Sequence, residues 1–217
     1  MKSYHLLIIV SVTIINLFSS CQEKLLEELT IYSNDFSSMD LNGIDSDEGV
    51  YKYNNRNVLG IFNNQGFTLT INNLPGHNMV RISLDLYIHN YWNGNSQGVE
   101  GPDIWNMHID NSPIIHTTFA NTSCSSTYCQ YQSFPENMVR SFIPKTEAYD
   151  SNLPGLFDQR TNLGWTTLYK INKIIPHNQA SISIKCYDQL IQENVPVPKE
   201  DESWSVGKIE VSILNVN

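Results

Sequence analysis

Four carboxylates, Asp35, Asp103, Asp201 and Glu202, stand where a hard cation could be held. Calcium takes six to eight oxygens from carboxylates, carbonyls and water. Asp35 lies near the first strand pattern, and Asp201 and Glu202 lie just before the last. First and last strands of a sandwich can lie side by side, so Asp35, Asp201 and Glu202 form the expected metal set, with calcium as the cofactor. The same acids also suit solvated turns, where aspartate accepts local N–H groups, and that reading stays open. Asp45-Ser46-Asp47-Glu48 lacks the spacing and the glycine of an EF-hand loop. The second group is aromatic. Tyr91 and Trp92 sit among Asn90, Asn93 and Asn95, with Asp103 further on. Aromatic faces stack on sugar rings, and amides or carboxylates bind hydroxyls. Tyr91, Trp92, Asn93, Asn95 and Asp103 are therefore the candidate ligand-binding residues. Trp105 and Trp204 are expected in the core, where large aromatics usually pack.

No catalytic residue is assigned. Glycoside hydrolysis needs two carboxyls about 5–9.5 Å apart; Glu100, Asp103 and Asp110 are available, but strand spacing alone does not pair them. His77, His89, His108, His116 and His177 form no His-x-His or His-x-x-x-His group. His108 and His116 can approach across a hairpin, yet two ligands without a third make a poor metal site. There is no Gly-x-Ser-x-Gly elbow and no phosphate-binding glycine loop. An acid-based polysaccharide hydrolase and a structural envelope subunit are kept as alternatives.

The chain has 217 residues and a formal charge of −9, from 13 Lys and Arg against 22 Asp and Glu. An acidic balance argues against a phosphate-backbone partner, which needs a basic face. It also argues against a polybasic membrane patch. Cys124 and Cys129 stand in a polar stretch, and in an exported protein a local disulfide between them is expected. Cys186 falls in an alternating strand and reads as a buried thiol.

The N-terminus explains why export is expected. Lys2 is followed by an apolar run from Leu6 to Phe18, then Ser19-Ser20-Cys21. The run is short for a spanning helix and suits a signal peptide. It resembles the signal of bacterial lipoproteins, in which the cysteine is acylated and becomes the mature N-terminus. The usual lipobox has leucine three before the cysteine; here that place holds Phe18, with Leu17 one further out. The resemblance implies lipidation at Cys21, anchoring to a membrane, and a place in the bacterial envelope or at the cell surface. Residues 1–20 are then the signal, 21–29 the lipidated cysteine and tether, and 30–217 one domain.

Alternation dominates that domain. Phe67, Leu69 and Ile71 alternate with threonine and asparagine, and Val80, Ile82, Leu84, Leu86 and Ile88 with polar residues. Ile182, Ile184 and Cys186 do the same, as do Ile209, Val211 and Ile213. Period two means one buried and one wet face. Shorter strands are expected near 58–62, 104–110, 114–119 and 166–174. Many such strands without helical periodicity predict an all-β chain folded as a two-sheet antiparallel β-sandwich. Residues 124–163 show little strand pattern and read as a long loop, functional or partly disordered.

Gly101-Pro102-Asp103-Ile104-Trp105, His116-Thr117-Thr118-Phe119, Gln132-Ser133-Phe134-Pro135 and Asp201-Glu202-Ser203-Trp204 occur in that order. Over roughly residues 30–214 this resembles an uncharacterised bacterial extracellular β-sandwich domain, similar to jelly-roll carbohydrate-binding and MAM-like adhesion modules. The resemblance implies a jelly-roll sandwich of galactose-binding-like or concanavalin-like type. The family has no assigned activity, so function is read from the chain itself. The lipid anchor, the sandwich pattern, the aromatic and asparagine-rich loop and the missing catalytic motif together predict a module that binds a glycan or a surface protein without catalysis, with calcium in support. Related jelly rolls often carry a cation-binding acid soon after the terminal tryptophan; Ser205-Val206-Gly207-Lys208 has none.

Overall fold

The structure is a computed structural model that describes residues 25–138, 140–193 and 195–217. The signal and Cys21 lie outside the described residues. The strands are β1 (Leu25–Asn34), β2 (Ile44–Ser46), β3 (Val50–Tyr53), β4 (Arg56–Phe62), β5 (Gly66–Asn72) and β6 (Met79–Asn90). They continue as β7 (Ile104–Ile109), β8 (Ser112–Thr118), β9 (Asp150–Pro154), β10 (Leu163–Pro176), β11 (Ser181–Gln189) and β12 (Glu202–Val216). One helical turn, α1 (Pro198–Asp201), leads into β12.

They form the expected two-sheet antiparallel sandwich. The larger sheet runs β3-β4-β12-β6-β10-β9, with β1 also paired to β12. The smaller runs β2-β5-β11-β7-β8. The chain crosses between sheets from β4 through β7, and again from β10 through β12, which is the winding of a jelly roll.

Alternation explains the layers. β6 sends Val80, Ile82, Leu84, Leu86 and Ile88 inward, and β5 and β11 answer with Phe67, Leu69, Ile182, Ile184 and Cys186, all buried. Burial pushes the Cys186 thiol pKa far up, so it packs as a small apolar group. Trp204 of the larger sheet joins the layers: its ring lies 4.5 Å from Phe62 and 5.8 Å, edge-on, from Trp105 of the smaller sheet. The two core tryptophans are thus placed as the pattern of the chain predicted. A smaller cluster of Tyr53, Val58, Ile61, Tyr87 and Leu168 lies apart from this core. Leu153, Leu156 and Phe157 pack against it. Gly207, at the bulge in β12, lies under Tyr87; a Cβ there would meet the ring at 2.6 Å.

Three features depart from expectation. Residues 25–29, read as tether, are strand: β1 pairs with β12 from Leu25↔Val216 to Asn34↔Ile209. Its first six residues are exposed, so backbone pairing holds this stretch and no burial pattern announces it. β2 and β3, of three and four residues, are too short to alternate visibly. β9 lies inside the stretch read as loop, where it pairs with β10. The rest of that stretch is pinned by Gln132. Its Oε1 accepts the Ala120 and Lys145 N–H groups and the Tyr169 hydroxyl. Its Nε2 donates to the carbonyls of Phe134 and Thr146.

Replacing Trp204 with alanine is expected to destabilise the domain by about 3–5 kcal/mol, as large-to-small core changes do. Urea unfolding measures this; a loss below about 1 kcal/mol would mean that Trp204 does not join the sheets.

Candidate functional site

Seven of the predicted site residues gather where β6 ends and β12 begins, opposite each other at Asn90↔Glu202. They divide into a buried set and an accessible set.

The buried set is a polar network. The Asn93 N–H donates to Asp103 Oδ2, and the Asp103 N–H donates to the Gly94 carbonyl at 3.0 Å. Asn93 Nδ2 donates to Glu202 Oε1 at 2.9 Å, and Asn93 Oδ1 accepts from Gln130 Nε2. Asp103 and Glu202 are wholly buried and within hydrogen-bonding reach of each other. Burial pushes the Asp103 carboxyl up to about 7. Burial also raises Glu202 well above the carboxylate range, and the neighbouring Asp103 charge raises it further. Gly94 makes the turn possible: its φ is +63°, and a Cβ would meet the Tyr131 carbonyl oxygen at 2.2 Å.

Trp92 does not offer a sugar platform. It is fully buried, donates its indole N–H to the Ser203 carbonyl at 2.8 Å and meets Phe119 edge-on. Asn95 is a clamp, accepting from the Thr118 and Ser133 hydroxyls and donating to the Arg140 carbonyl. Asn93 and Asp103 are likewise sealed in. These four read as surface ligands because asparagine and glycine usually mark loops; here the loop is folded inward.

The accessible set is Tyr91 with Asp201. The Tyr91 N–H donates to the Asp201 carbonyl at 2.9 Å, its hydroxyl accepts from Gln159, and its ring meets Trp165 at 4.4 Å. Tyr91, Asp158, Gln159, Glu200 and Asp201 line a cavity of about 270 Å³. Burial raises the Asp201 carboxyl, with Glu100 adding to the effect.

Asp35 is elsewhere. β1 and β12 do lie side by side, but antiparallel, so Asp35 falls next to Lys208, six residues beyond Glu202. At about 3.3 Å per residue that is roughly 20 Å away. Its carboxylate accepts the Ser37 hydroxyl at 2.6 Å and the Ser37 N–H at 3.0 Å, bonds that hold its pKa below the usual range. Among the described residues no three His, Cys, Asp or Glu converge as a metal set, so the trio Asp35, Asp201 and Glu202 does not form. Asp103 and Asp110 flank the six-residue β7, too far apart for the hydrolase pairing. Cys124 and Cys129 are joined in the structure, with Cα atoms 4.3 Å apart.

The outer face of the larger sheet carries a group of polar and charged residues that the motifs did not reveal. Asp85 of β6 is flanked in register by Lys170 of β10 and Lys208 of β12. It borders three cavities, of about 210, 230 and 530 Å³. Arg56 borders two of them and donates to the Tyr87 hydroxyl at 3.1 Å. Tyr149 is 66% exposed, and its ring carries the Lys170 ammonium 4.1 Å from the centroid. Asn55, Asn57 and Asn172 complete the polar lining. No hydrogen bond among the described residues ends on the Asp85 carboxylate, which leaves it open to a ligand. The face offers planar donors and acceptors beside one exposed ring, a chemistry suited to a polyhydroxylated ligand.

The far end of the sandwich holds another unforeseen group. His77 Nδ1 bonds the Pro75 carbonyl, His77 Nε2 meets His177 Nδ1 at 2.7 Å, and His177 Nε2 meets Asp110 Oδ2 at 3.1 Å. The two histidines are 100 residues apart, so no spacing rule finds them.

No family model matches this chain, and no curated protein matches it. Solved structures similar to it include latent PorU from Porphyromonas gingivalis, at 11% identity and TM-score 0.37. That match covers 68% of this chain and 10% of PorU, so the chain spans a tenth of that protein's length. A family 35 carbohydrate binding module from Clostridium thermocellum is 9% identical at TM-score 0.33, covering 88% of this chain and 98% of the module. A non-crystalline cellulose specific module, CBM28, is 11% identical at TM-score 0.32, covering 84% and 90%. The sandwich assignment rests on the sheets themselves.

The raised carboxyls give a pH dependence. A folded state that keeps a proton which the unfolded chain has released is most stable below the unfolded pKa and loses that stability as pH rises. In chelator, stability is expected to fall from about pH 4 towards pH 7, by at most about 1.4 kcal/mol per pH unit for each proton held. Asp103→Asn is expected to flatten the profile. Urea midpoints across this range measure it; identical profiles would disprove the pairing.

Proposed function

We propose that this protein is an envelope-anchored, non-catalytic glycan-binding module whose ligand lies on the outer face of the larger sheet. The observation that carries the reading is Asp85, whose carboxylate accepts no hydrogen bond among the described residues and which is flanked by Lys170 and Lys208, with Arg56 and the exposed Tyr149 ring beside it. The exposed aromatic supplies a stacking surface, and the charged and amide groups bind hydroxyls or acidic substituents. Strands hold the polar groups, so little ordering is lost on binding. The Cys21 anchor is part of the same proposal and would leave only residues 22–24 before β1 begins.

A glycan array probed with the purified chain, followed by calorimetry on the hits, tests the ligand. Tyr149→Ala and Asp85→Ala are each expected to weaken binding about tenfold, near 1.4 kcal/mol, without changing the melting temperature by more than a degree or so. Silence across plant, host and bacterial glycans would overturn the reading. For the anchor, Cys21→Ser is expected to move the protein from the detergent phase to the aqueous phase, and unchanged partition would disprove lipidation.

A further inference from the structure

Nine buried side-chain nitrogen and oxygen atoms among the described residues have no hydrogen-bond partner. Four are oxygens of one neighbourhood: Asp103 Oδ1, Glu202 Oε2, Gln130 Oε1 and Gln192 Oε1. Asn93 ties three of these residues together, bonding to each of Asp103, Glu202 and Gln130. The Gln192 amide adjoins the Glu202 carboxyl without reaching hydrogen-bond geometry. Asp103, Glu202 and Gln130 are each more than nine-tenths buried.

Leaving a buried acceptor unmet costs about 1–3 kcal/mol, and more when it is charged. Two adjoining buried carboxylates also repel. Two things relieve this. A proton on Glu202 could be donated to Asp103 Oδ1, which satisfies that pair and leaves both glutamine oxygens unmet. A divalent cation bound among them would cancel both charges and give the unmet oxygens a partner. We propose that Asp103, Glu202, Gln130 and Gln192 hold a structural calcium ion. The donor set is all oxygen, with two carboxylates and two amide carbonyls, which suits calcium better than the octahedral, water-keeping magnesium. The ion would join the β6–β7 loop through Asp103, the long β8–β9 connection through Gln130, the β11–β12 connection through Gln192 and the start of β12 through Glu202. Half of these ligands are amides, so the four residues form no cluster of acids. This site is independent of the glycan face.

The test uses the purified full chain, stripped with EDTA and titrated with terbium. Trp92 donates its indole N–H to the carbonyl of Ser203, next to Glu202, so an indole lies close enough to sensitise terbium emission. Emission on indole excitation that calcium displaces, with a calcium-dependent rise of several degrees in melting temperature, is the expected result. Glu202→Gln should abolish both, and Gln192→Ala should weaken calcium about tenfold. If circular dichroism shows that Glu202→Gln does not fold, Gln192→Ala decides. Unchanged calcium affinity in a folded variant overturns the site, as does a wild type that gains stability on acidification and none from calcium.

Discussion

The pairing of β12 is the constraint on which the rest depends. The last strand runs through the middle of the larger sheet, with β6 along one side and β4 and β1 sharing the other. Its inward residues carry Trp204 into the core, its outward residues carry Lys208 and Glu210 to the wet face, and its first residue is the buried Glu202. One ladder therefore sets the core, the outer groove and the acid pair together. Most of its partners are far away in sequence: β6 lies more than a hundred residues earlier. Such pairings are slow to form, because loop closure comes before the contacts that reward it.

Both polar regions follow from how that ladder is flanked. On the outer face, period two sets Asp85, Lys170 and Lys208 side by side on three strands. The bulge at Gly207 gives the Tyr87 ring room against the sheet. At the strand ends there is no ladder to satisfy the backbone, and side-chain amides take over. Asn93, Asn95, Gln130 and Gln132 bind loop to loop and loop to strand. Asn121 does the same, donating to the carbonyls of Ile88 and Asn90. This is why a long stretch without strand pattern is nonetheless packed.

The fold was legible where burial and period two coincide, as in Val80–Ile88, and where a tryptophan interrupts a strand, as at 105 and 204. The first half of β1, read as tether, was not, because a stretch exposed on both sides leaves no periodic trace. For Asp35 the expected adjacency holds, since β1 lies beside β12, but the meeting with Asp201 and Glu202 does not. Adjacency says nothing about register, and the antiparallel register sends Asp35 to the other end of the ladder. Trp92, Asn93 and Asp103 were singled out by type, but type does not say which way a loop folds. Buried polar groups that satisfy one another look like surface until their partners are known. Tyr149, Gln130 and Gln192 sit in stretches without a pattern. Only tertiary structure brings them to Lys170, Asn93 and Glu202.

Residues 25 and 216 are cross-strand partners, so the described chain enters and leaves the sandwich side by side. The bonds of an antiparallel ladder run across the strands. Tension between these two points would open β1 from β12 like a zipper, one pair at a time, at low force. Tension between residue 25 and the opposite end of β12 would load the same bonds lengthwise and together. The β1–β12 pair is therefore soft against a pull that separates residues 25 and 216 and stiffer against one that shears the two strands past each other.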